Sequence, residues 1–124
     1  LGADFAYIGT AFLASNESIA PEGHTQMVVD GTAADVTYTA YFSGTHANYL
    51  TASVIAAGVD PDEAAAAAPR KMAFDSGTSK AKAWSDVWSA GQGIGELSSV
   101  QPAADYIAQL KSEYDAARAA LLKG

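Results

Sequence analysis

Cysteine is absent from this chain, which excludes disulfides, thiolate nucleophiles and cysteine-ligated metals. Positive charge is scarce. Seven Lys and Arg stand against fourteen Asp and Glu, the net charge is −7, and the basic residues form no cluster. No nucleic-acid partner is expected, because binding a phosphate backbone draws on concentrated positive charge. Nor does any apolar run approach the ~20 residues needed to cross a bilayer. The first residues lack the basic and apolar regions of a signal peptide. Together with the missing cysteines, this makes a cytoplasmic setting without membrane partners the expectation. An acidic balance of this kind reflects solubility more often than a binding site.

What is present is enough for one domain. The 124 residues are 49% hydrophobic, sufficient to bury a real core. The run Ala3, Phe5, Ala6, Tyr7 and Ile8, interrupted by Asp4, reads as a strand at 3–8 covered on both faces, as in parallel sheets and barrels. A chain starting at Leu1, directly before such a run, is expected to be part of something longer. Pro21 suits the first turn of a helix running to about Asp30, with Gly31 as its stop. "VTYTAYF", 36–42, is rich in β-branched and aromatic residues and reads as a second strand or an extended arm.

Beyond it the pattern turns helical. "NYLTASVIAA", 48–57, spaces Leu50, Val54 and Ala57 along one side and ends at Gly58. Asp60-Pro61 opens an alanine-rich helical turn or two, which break at Pro69. "FDSGTSK" is loop-like, and "KAWSDVWSA" reads as a short helix with Trp84, Val87 and Trp88 on one face. From 101 to 123 an amphipathic helix places Ile107, Leu110, Tyr114, Ala117 and Leu121 on its apolar side. The inventory is mostly α with one or two strands. A single parallel-type strand cannot satisfy its own edges, so association into a homo-oligomer is one expected outcome.

The chemistry-bearing residues are few. A strand ending in Gly9-Thr10 can hold an anion, since glycine lets the backbone approach and the amides and hydroxyl donate to phosphate oxygens. The same two residues can equally make a plain turn. "GQGIG", 91–95, has the wrong spacing for a dinucleotide loop and follows a helix rather than a strand, so it reads as a flexible connection. His24 is expected on the solvent side of its helix. His46, among Ser43, Thr45, Asn48 and Tyr49, reads as a structural or capping residue. Two histidines without a zinc-binding spacing give no metal site, and Asp60, Asp62 and Glu63 lack calcium-loop spacing.

Taken in order, "GADFAYIGTAFLASNES", "VDGTAADVTYTAYFSGTHANYL", "IAAGVDPDE" and "KAWSDVWSAGQGIG" are more specific than any one segment. They resemble the C-terminal part of flavin-dependent nitronate monooxygenases, formerly called 2-nitropropane dioxygenases, across most of the chain. The resemblance implies the last part of an FMN-binding (β/α)8 TIM barrel, an α/β fold. Residues 1–35 would supply its last strand, phosphate loop and helix, and 36–124 the helical segments after the barrel. The implied reaction oxidises alkyl nitronates with O2 to carbonyl compounds and nitrite. Tyr7, Ile8, Gly9 and Thr10 match the family segment that contacts the FMN phosphate. Tyr7 and Ile8 depart from the Gln or Met-like residues frequent there, but backbone can make both contacts. The family's catalytic histidine lies upstream of such a segment, so neither His24 nor His46 inherits that role. Two alternatives stay open: an independent, mostly helical structural or oligomerising module, and a site for another phosphate-bearing ligand without redox chemistry.

Overall fold

A computed structural model describes residues 3–68, 86–96 and 98–123. Among them it is a mixed α/β arrangement with five α-helices, one 3-10 turn and a two-stranded sheet. The elements are α1 (Thr10–Leu13), α2 (Glu22–Asp30), the 3-10 turn (Ala33–Asp35), β1 (Val36–Thr39), β2 (Ala47–Leu50), α3 (Thr51–Ala56), α4 (Pro61–Ala65) and α5 (Ala103–Leu121).

Local chemistry sets several of these boundaries. Pro21 precedes α2, and Gly31 ends it with its amide donating to the Met27 carbonyl at 3.0 Å. Gly31 sits at φ −84°, so no left-handed backbone calls for it. Space does: an added Cβ would collide with the Ile94 side chain and lie 2.7 Å from the Met27 carbonyl. Asp35 closes the 3-10 turn by accepting from both the amide and the hydroxyl of Thr32, each at 2.8 Å. Those two bonds hold its carboxyl below the usual range. At Gly58, φ is +77°, a left-handed position after α3 that suits glycine. Asp60 caps α4 by accepting from Asp62 N and Glu63 N, with Pro61 at the first helical position, where a missing N–H costs nothing.

β1 and β2 pair antiparallel, with Val36 opposite Leu50 and Thr39 opposite Ala47. Residues 48–50, expected at the head of a helix, therefore belong to a strand. Their backbone groups find partners in β1, and on the far side Tyr49 pairs with Ser89 while Leu50 N donates to Trp88 O at 2.8 Å. Residues 87–90, expected within a short helix, are not helical, and Trp88 N donates to the Ser53 hydroxyl at 3.0 Å. Pro69, the 74–80 segment and Trp84 lie outside the described residues.

Residues 3–9 form no strand here, and Phe5 and Tyr7 are fully exposed. Among the described residues no strand pairs with the backbone of 3–8, and an unpaired run gains nothing from strand geometry.

One core cluster joins Ala11 and Ala14 with Val28, Leu50, Ala90, Ile94 and Tyr106; another joins Tyr49, Val54, Ala64 and Val87. α5 forms close to its expected span but presents a different face. Its first turn is anchored by Tyr106, which is buried and edge-to-face with Phe12 at 5.4 Å. Glu17 accepts from Ala103 N at 3.0 Å, and Asn16 N donates to Gln101 O at 3.1 Å. Leu110 is partly covered, whereas Ile107, Tyr114 and Leu121 are 56%, 66% and 83% exposed. The three- and four-residue spacing marked a real helix, but only its first two turns meet the core. Burial, followed by the carboxylates of Glu96 and Glu113, pushes the Tyr106 hydroxyl's pKa upward. No helix among the described residues is long and apolar enough to cross a membrane.

Candidate functional site

The Gly9-Thr10 step lies where the chain enters α1. Gly9 (φ −113°, ψ −55°) precedes the helix, and its carbonyl accepts from Phe12 N at 3.0 Å. Thr10, the first helical residue, turns its hydroxyl toward a segment far along the chain. Gly91 N donates to Thr10 Oγ1 at 2.7 Å across 81 positions of sequence. Gly91 belongs to the "GQGIG" run read as a flexible connection. Its neighbour Ile94 is in fact buried in the core.

Between these two segments and β2 lies a shallow cavity of about 440 Å³, wide open to solvent. Gly9, Thr10 and Leu13 form one side, Ala47 and Asn48 come from β2, and Ser89 to Gly91 close it. Among the described residues that line it, none carries a charged side chain. Asn48 Oδ1 is buried with no hydrogen-bond partner among the described residues. No cluster of three His, Asp or Glu side chains that could hold a metal occurs among the described residues.

Of the four residues singled out in sequence, Gly9 and Thr10 line this cavity; Tyr7 and Ile8 do not, and the Tyr7 side chain points into solvent. Asn48, Ser89 and Gly91 were missed, because only long-range packing brings them to Thr10. His24 departs from the solvent-side place its helix position led us to expect. It is buried, not solvent-facing, with Nε2 2.9 Å from Ser89 O and its ring stacked on Trp88 at 5.4 Å and 8°. The legible signal was its four-residue spacing from Val28, the other buried residue of α2. His46 stays exposed and stacks on Tyr38 at 4.8 Å.

The family model for nitronate monooxygenase matches residues 1–113. The chain belongs to the nitronate monooxygenase family. It is 33% identical over 119 residues to a nitronate monooxygenase from Paraburkholderia phytofirmans. The match covers 91% of this chain and 32% of that protein, so the chain spans about a third of the length of this relative. No solved structure matches.

The backbone at the Gly9-Thr10 step is accessible to a ligand. A Cβ added at Gly9 would meet nothing within 4 Å, so its backbone is open to close approach. The Thr10 hydroxyl, with Gly91 N–H on a lone pair, keeps its own hydrogen to donate.

Proposed function

We propose that this chain is part of an FMN-dependent oxidoreductase that oxidises alkyl nitronates with O2 to carbonyl compounds and nitrite. Within it, Gly9 and Thr10 contact the FMN phosphate, and Tyr7 and Ile8 contribute through backbone. The observation carrying this reading is that Gly9 and Thr10 lie together on a cavity wall, in a chain whose family model matches residues 1–113. A bound flavin supplies the redox chemistry. This chain's own residues bind and orient: the Gly9 backbone admits the phosphate closely and the Thr10 hydroxyl donates to it. Residues 3–8 pair as the last strand of a TIM barrel when the neighbouring strands are present. The catalytic base lies outside these 124 residues, which alone therefore release no nitrite from alkyl nitronates.

Equilibrium dialysis of the complete enzyme tests the phosphate contact. Gly9→Val puts a branched side chain into space that is open in this structure, so it should block the ligand without disturbing the fold. Thr10→Val removes one donor to a charged group, worth about 1.5–3 kcal/mol, or roughly ten- to a hundredfold in affinity. FMN retention by both variants equal to the parent's refutes the assignment.

A further inference from the structure

The wall formed by Ser89, Ala90 and Gly91 has no helix or regular strand to hold it, yet bonds from several elements fix it. Leu50 N and the Ser53 hydroxyl engage the backbone of Trp88 just before it, and Ser89 pairs with Tyr49 at the free edge of β2. His24, from α2, adds a bond from the side. A carbonyl oxygen only accepts, so the 2.9 Å contact between His24 Nε2 and Ser89 O means that Nε2 carries the hydrogen. Two residues further on, Gly91 N–H meets Thr10 Oγ1 at 2.7 Å. That bond uses the hydroxyl as an acceptor and leaves its single hydrogen for something that accepts.

We propose that His24 is a positioning residue of the cavity: by holding Ser89 it places the Gly91 amide on Thr10, which fixes the Thr10 hydroxyl as a donor and makes the cavity select a phosphate monoester over a neutral hydroxyl. His24 does not line the cavity and touches no ligand. Its effect runs through two backbone hydrogen bonds. The inference rests on the phosphate reading of Gly9 and Thr10 given above.

The test is the ratio of affinities for FMN and riboflavin, which differ by the phosphate alone, measured by flavin fluorescence on the complete enzyme. His24→Phe keeps a ring to stack on Trp88 and deletes the N–H. His24→Gln deletes the ring and keeps an N–H able to reach the same carbonyl. With His24→Phe, FMN affinity should fall about tenfold while riboflavin affinity holds, and His24→Gln should retain most of the parent's preference. A purely structural role would lower both affinities together, and that result overturns the proposal. So does a parent-like preference in His24→Phe, or loss of the preference in His24→Gln, which decides the matter alone if the Phe variant fails to fold. A parent with no preference for FMN, or one that binds neither flavin, overturns the phosphate reading and this inference with it. If Thr10→Val abolishes the preference and His24→Phe does not, only the inference falls.

Discussion

Gly31 and Gly9 both border helices, at the end of α2 and the start of α1, but the structure assigns them opposite tolerances. At Gly31 a methyl group would overlap the Ile94 side chain and sit 2.7 Å from the Met27 carbonyl. Ile94 is 5% exposed and part of the main core cluster, so it has little room to retreat. The other clash is with backbone, which no rotamer change relieves. Overpacking of this kind costs about 1–3 kcal/mol. At Gly9 the same methyl group meets nothing within 4 Å, and φ is negative, so Gly9→Ala should stay within about 0.5 kcal/mol of the parent. Urea melts of Gly31→Ala and Gly9→Ala, compared at unchanged m-value, read the difference directly. Adding Ile94→Val to Gly31→Ala removes the Cδ1 contact and leaves the backbone one, so the double variant should recover part of the loss and not all of it. Equal midpoints for the two alanine variants would refute the packing argument. Full recovery by Ile94→Val would show that the Met27 carbonyl is no obstacle.

Tyr106→Ala should destabilise by about 3–5 kcal/mol, as loss of a large buried ring does, while Tyr114→Ala, eight positions on, should change stability by no more than about 0.5 kcal/mol; comparable losses in chemical melts would mean that the far end of α5 is covered. Asp35 gives a pH test. Its folded pKa is depressed by the two Thr32 bonds, so its contribution is present above the unfolded value of about 3.9 and is lost as pH falls through the lower folded value. The midpoint gap between parent and Asp35→Ala should therefore narrow across that acid window, and a gap that widens there contradicts the assignment.

Sequence disclosed the features written in neighbouring residues. The stretch from Pro21 to Gly31, the Asp60-Pro61 cap and the span of α5 all depend on contacts within a few positions, and all are present. Gly9-Thr10 could be singled out for the same reason, since glycine followed by a hydroxyl is a local statement about backbone access. What stayed hidden depends on distant partners. Residues 48–50 carry helical spacing, yet β1 and the 88–89 segment claim their backbone. Residues 3–8 have the composition of a covered strand and no partner among the described residues. The burial of His24 and the joining of Gly91 to Thr10 arise from segments 65 and 81 positions apart, and no local pattern announces such a meeting.

The one-ended anchoring of α5 bears on how the molecule comes apart. Its 19 residues extend about 28 Å, and beyond Leu110 they are exposed. That stretch is held by alanine-rich helix propensity and by exposed four-residue pairs such as Gln109–Glu113 and Lys111–Asp115. Such pairs are worth only a few tenths of a kcal/mol each. The distal turns can therefore fray without disturbing Tyr106 or the cluster around it. Helical circular dichroism would begin to decline while the aromatic signal of the core is still native, so the two optical probes would not share a single cooperative transition.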